Sequence, residues 1–262
     1  NGVGTLTFSE PIKTISGFSG QTKLSSINLP ESAESIYSDA FKGCTHLTEI
    51  IIPDNVMYIY KEAFDGCTLL KKVVIGDGVL EIGYNAFDSC PQLSDLTLGS
   101  SLKFIGNYAF SGTAISELVL PSTLTTLNYG AFTGCKSLSK VVINDALETI
   151  GQRAFYNCTA LTDLTIGTGV VSIAAEAFTN CTHLTELTIP DNVMYIYKEA
   201  FEGCSLLKKV VLGDGLLEIG YSAFVGCAQR SDLALGSSLK FMGGDAFSGI
   251  AISELVLPST LT

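Results

Sequence analysis

Eight cysteines stand at Cys44, Cys67, Cys90, Cys135, Cys158, Cys181, Cys204 and Cys227, each three residues after a phenylalanine. Thiols in this number could build a disulfide framework or a metal array, and their spacing speaks against both. Metal-ligand motifs place cysteines in pairs roughly two to four residues apart, whereas here no two are closer than 23. Where the column lapses it holds Thr113 or Ile250, which leaves three cysteines before the gap and five after. That division suits no orderly pairing, so the thiols are expected to be free and buried, packing as small hydrophobes.

Other reactive groups are as sparse. His46 and His183 are one position copied six units apart, and without a second histidine nearby a serine or cysteine nucleophile lacks its usual base. No phosphate loop of the Gly-Lys-Ser/Thr type occurs. Asn157-Cys158-Thr159 and Asn180-Cys181-Thr182 match the glycosylation triplet, but their cysteines belong to the expected core. The residues therefore indicate no enzyme, no metal site and no cofactor.

What positions them is a repeat. The phenylalanines fall at Phe41, Phe64, Phe87, Phe110, Phe132, Phe155, Phe178, Phe201, Phe224 and Phe247, at intervals of 23 except for one of 22. A fixed period of this size is the mark of a stacked solenoid, and the phenylalanine column reads as its core. Each unit opens with a short, β-branched, alternating segment that reads as a strand, as in Ser25 to Leu29, Glu49 to Ile52 and Lys72 to Ile75. Turn chemistry such as Pro53-Asp54-Asn55 closes it. A unit this short has no room for a long helix, so successive strands must be parallel with right-handed crossovers, giving one long sheet. Residues 1–23 read as a degenerate N-terminal repeat or cap, in which Leu6 to Phe8 resembles a strand and Phe18 stands one period before Phe41. Residues 24–262 read as a single solenoid of about ten units that stops partway through a repeat, as a processed or trimmed chain would. A second repetition is superposed: residues 51 to 125 return almost unchanged as 188 to 262.

Leu47-Thr48-Glu49-Ile50-Ile51-Ile52-Pro53-Asp54-Asn55-Val56, followed by Ile59 and Ala63-Phe64-Asp65-Gly66-Cys67, resembles the leucine-rich repeats of the 23-residue bacterial type known as BspA-like or Treponema-type. The resemblance runs from residue 24 to 262. It implies a β-dominated α/β repeat, a right-handed solenoid curved as a horseshoe or arc, with a parallel concave sheet and short irregular or 3-10 convex segments. It also implies a secreted or cell-surface protein that acts in adhesion.

Alternation sends Ile50 and Ile52 inward and Glu49 and Ile51 outward. The first outward row then reads Glu49, Lys72, Asp95, Glu117, Lys140, Asp163, Glu186, Lys209, Asp232, Glu254, in which each lysine is expected to sit between two carboxylates. The second runs Ile51, Val74, Thr97, Val119, Val142, Thr165, Thr188, Val211, Ala234, Val256. The charges read either as a solvated ladder or as a partner-binding face, and the apolar strip either as good strand formers or as an interaction surface. Tyr58, Tyr60, Tyr195 and Tyr197, flanking inward isoleucines, form a rival flank, since tyrosine is common at interfaces.

A net charge of −11 and a pI near 4.6 leave no clustered lysine or arginine for nucleic acid or an anionic membrane surface, and no apolar run is long enough to span a bilayer. The expected function is a non-catalytic module that binds a protein or matrix macromolecule. The alternative is a structural spacer or self-assembling surface element without a specific ligand; the oligomeric state is left open.

Overall fold

The computed structural model describes residues 11–227, 235–250 and 257–261. It is a β-solenoid of about ten coils with parallel strands. Among the described residues no segment is helical, so the expected α/β character and 3-10 convex segments give way to turns. The backbone explains why. One left-handed residue precedes the Ala-Phe pair in coil after coil, as at Glu62 (φ 57°) and Glu176 (φ 58°), and a second precedes the cysteine, as at Gly66 (φ 71°) and Asn157 (φ 59°). A right-handed helix cannot pass through such residues.

Each coil carries two strand positions. The longer one is the expected segment, but it builds three separate pieces: Glu49–Ile52, Lys72–Ile75 and Asp95–Thr97; then Glu117–Val119, Lys140–Val142 and Asp163–Thr165; then Glu186–Thr188 with Lys209–Val211. Ser25 to Leu29 forms no strand. The continuous sheet lies instead on the return segment, where eleven two-residue strands run from Thr14–Ile15 through Tyr58–Ile59 and Glu81–Ile82 to Phe241–Met242. The expectation of one long sheet is thus corrected in its location. The first break in the longer strands coincides with the short interval: a residue is missing between Thr113 and Glu117, which places Glu117 only 22 residues after Asp95. The second break, between Asp163–Thr165 and Glu186–Thr188, has no counterpart in the spacing.

The core is a column of rings. From Phe18 to Phe247 consecutive phenylalanines stack with centroids 4.9 to 5.7 Å apart and planes within 10°. Those from Phe41 to Phe224 are wholly buried, and each such ring is worth about 1.5–3 kcal/mol of transfer free energy. The backbone beneath them is laddered as well: the N–H of Phe64 donates to Ala86 O at 2.8 Å, and the pattern recurs coil by coil. Because Phe18 stacks on Phe41 and Thr14–Ile15 pairs with Ser35–Ile36, the described part of the worn first repeat is continuous with the rest. Leu6 to Phe8 lie outside the described residues.

Candidate functional site

The Glu-Lys-Asp row is placed by strand register. Lys72 pairs in register with Glu49 and Asp95, Lys140 with Glu117 and Asp163, and Lys209 with Glu186. Asp232 and Glu254, with Ala234 and Val256 of the second row, lie outside the described residues. Register sets Lys72 and Lys140 each between two carboxylates, as expected, yet among the described residues neither side chain ion-pairs with both. Lys72 Nζ reaches Asp95 Oδ2 at 3.4 Å and Lys209 reaches Glu186 Oε2 at 3.8 Å, while Lys140 makes no ion pair among the described residues. A flexible ammonium in water gains little from being held between two carboxylates, and exposed pairs are worth roughly 0–1 kcal/mol.

Beside this row stand Ile51 and Val119, each 61% exposed, and Val211, 45% exposed; Val74 and Val142 are half-buried. Thr97, Thr165 and Thr188 are exposed and dilute the strip. Ile50 and Ile52 are buried, as alternation requires.

The tyrosines belong to the other sheet. Tyr58 and Tyr60 flank buried Ile59 on the continuous sheet, with ring centroids 6.0 Å apart and planes at 27°. Tyr195 and Tyr197 repeat this around Ile196 at 6.1 Å and 14°. They therefore form part of a strand face and are not an edge of the charged ladder.

All eight cysteines are free and buried. Each sulfur donates to a phenylalanine carbonyl of the preceding coil, as Cys158 Sγ does to Phe132 O at 3.3 Å and Cys181 Sγ to Phe155 O at 3.4 Å. Burial pushes the Cys181 thiol far up, which keeps it protonated. Thr113, standing in the column, donates to Phe110 O at 3.0 Å and lies 3.3 Å from Cys135 Sγ. The asparagines of the two glycosylation triplets bond one another, Asn180 Nδ2 to Asn157 Oδ1 at 3.0 Å. Among the described residues no group of three His, Cys, Asp or Glu side chains could hold a metal ion, and no helix is long and apolar enough to cross a membrane.

Sequence reasoning missed the polar clusters on the turns. Lys42 pairs with Glu62, with Asp65 at 3.2 Å and with Asp39 at 3.7 Å, and Lys61 reaches Glu62 at 2.9 Å. Hydrogen bonds from Lys42 and then Lys61 hold the Glu62 carboxyl down to about 2. Six units on, Thr179 occupies the place of Lys42, and the acid at Glu176 is met instead by Arg153 at 2.7 Å, which also bonds Tyr129 Oη at 2.8 Å. With that lysine gone, burial and then the neighbouring Glu199 and Glu176 raise the Glu202 carboxyl. The signal was available, since Lys42 and Glu62 lie close to one period apart, but only a coil geometry makes that spacing a contact.

The chain matches the family described as BspA type Leucine rich repeat region, in six copies, over residues 12–139, 103–227 and 148–262. It belongs to that family. No curated protein matches this BspA-type chain. Among solved structures, a leucine-rich repeat protein from Bacteroides ovatus is 23% identical with a TM-score of 0.62, over 98% of this chain and 87% of that one. The T. pallidum leucine rich repeat protein is 27% identical with a TM-score of 0.53, over 58% and 72%. A protein from Faecalibacterium prausnitzii described as a leucine rich cell surface protein is 22% identical with a TM-score of 0.38, over 86% and 78%.

Proposed function

We propose that this BspA-type chain is a non-catalytic protein-binding module of a bacterial surface or secreted protein, adhering to host or matrix proteins through the Glu-Lys-Asp rows. In this reading residues 1–23 cap one continuous solenoid formed by 24–262. The observation that carries it is the piece built from Glu117–Val119, Lys140–Val142 and Asp163–Thr165. There three charges stand in register beside exposed Val119 and half-buried Val142. Among the described residues Lys140 has no ion pair to give up, so a partner's carboxylate can engage it without breaking one of these. Ordered charge of this kind contributes specificity and association rate more than affinity, while the adjoining apolar side chains supply area. The extracellular location rests on the family resemblance.

The test is adhesion to immobilised matrix proteins by a variant carrying Glu117→Lys, Lys140→Glu and Asp163→Lys together. Loss of adhesion with an unchanged melting temperature is expected; full adhesion by the folded variant removes these rows from the reading. The unbroken phenylalanine stack favours the second reading, a spacer or self-assembling element. Light scattering on the eluted protein separates the two, because self-assembly raises the mass with concentration and a binding module does not need it.

A further inference from the structure

The face of the continuous sheet carries an ordered row of its own. Strand register aligns Ser35, Tyr58, Glu81, Phe104, Thr126 and, beyond Thr149, Ser172, Tyr195, Glu218 and Phe241 on successive coils. The run Ser-Tyr-Glu-Phe therefore occurs twice, with threonines between. In the first run an open cleft of about 240 Å³ is lined by Tyr58, Tyr60, Lys61, Glu81, Tyr84 and Phe104. Tyr60 and Tyr84 are 42% and 49% exposed. The Tyr84 ring settles over the next coil because that coil has a glycine: a Cβ on Gly106 would meet Tyr84 Cδ1 at 2.6 Å.

In the second run the same residues return, with Tyr195 and Tyr197 at 6.1 Å and Tyr221 edge-on to Phe241 at 6.0 Å. The two segments have drifted elsewhere, as at Tyr108 against Asp245 and Asp65 against Glu202, yet every cleft residue is unchanged. Between the runs lies a groove of about 460 Å³ whose lining includes Asn107, Thr126, Asn128, Thr149 and Gln152. Asn107, Thr126 and Gln152 spend no side-chain hydrogen bond within the described residues, so their amides and hydroxyl are available.

The geometry points to a binding face for a neutral, extended polysaccharide, laid along the stack across both aromatic clusters. Sugar rings present weakly positive C–H faces that suit the electron-rich faces of tyrosine and phenylalanine, and hydroxyl edges that suit carboxylate, amide and hydroxyl groups. The row alternates these two kinds of contact, where an apolar protein partner would ask for a contiguous apolar strip. No lysine or arginine cluster lies in the row, and the net charge of −11 disfavours an anionic glycan. Two aromatic clusters six coils apart are separated by about 29 Å at ~4.8 Å per coil, a span that one polymer chain bridges and a short ligand does not. Joint engagement multiplies affinity by roughly 100-fold or more without new contacts. This face is separate from the Glu-Lys-Asp rows and does not depend on their function.

The test is affinity electrophoresis of the whole chain in gels containing hydroxyethylcellulose, mixed-linkage β-glucan or galactomannan, with polygalacturonate as the anionic control. Retardation by at least one neutral polymer and none by polygalacturonate is expected. Tyr60→Ala with Tyr84→Ala should weaken it about 100-fold, the low end of a lost second attachment; adding Tyr197→Ala and Tyr221→Ala should abolish it. The Glu117, Lys140 and Asp163 variant should bind like the parent. The chain has no tryptophan, so a change in tyrosine emission on titrating the unmodified protein with soluble oligosaccharide is a second readout that needs no variant. Absence of both retardation and emission change across the neutral panel overturns the proposal, as does unaltered retardation of the folded four-tyrosine variant.

Discussion

The backbone N–H of Phe155 donates to the carbonyl of Ala177, one coil further on, at 2.8 Å, while the Phe155 ring stacks on Phe178 at 5.2 Å. One residue thus ties neighbouring coils through main chain and side chain together. The register of every outward row depends on ties of this kind.

Phe155→Ala should therefore be severe. It opens a cavity in a wholly buried column, at a cost of roughly 3–5 kcal/mol, which for a chain of this size corresponds to a fall in melting temperature on the order of 10 °C. Because each coil touches only its neighbours, the transition should also broaden. Thermal melts followed by circular dichroism check it, and an unchanged curve would remove Phe155 from the core.

The thiols should be silent in the native protein. Intact mass with and without reductant should be identical, and an alkylating reagent should label none of the eight until denaturant is added. A mass gain on reduction, about 2 Da for each disulfide opened, would contradict the free, buried column.

Acid should weaken the Lys42 and Glu62 cluster in a defined window. The folded Glu62 carboxyl titrates near 2, below the ordinary glutamate range, so the native state binds fewer protons than the unfolded one between those values. Its contribution is fully present above the ordinary range and is lost as pH falls towards 2. Melting temperatures measured between pH 5 and pH 2 should fall less steeply for Glu62→Gln than for the parent; equal slopes would assign the acid sensitivity elsewhere.

The column of phenylalanines and cysteines could be read directly from the chain because one residue type at one interval is enough to define it. The inward and outward rows at Glu49 to Ile52 were also legible, since alternation of β-branched and charged residues is a strand signal. The continuous sheet was not. Glu81–Ile82 or Thr149–Ile150 is two residues long, too short for any alternation to register, and these strands exist only because neighbouring coils present the same pair. Sidedness of the lysine ladder was illegible for a related reason: register fixes which charges are neighbours, but the choice between two carboxylates is made by flexible side chains in water. The tyrosines stand out in the sequence as residues flanking isoleucines, yet their assembly with Glu81 and Phe104 into one face depends on the return segment being a sheet.

The ladders at Phe and Ala, and those of both strand positions, all run from coil to coil. Tension applied along the stack would load these bonds along their own direction, a few at a time, at whichever end the pull is felt. Such a molecule yields by peeling: it lengthens in steps of one coil at modest force and does not rupture all at once. Each released coil would take its share of the binding rows with it, so grip and length under load are governed by the same bonds.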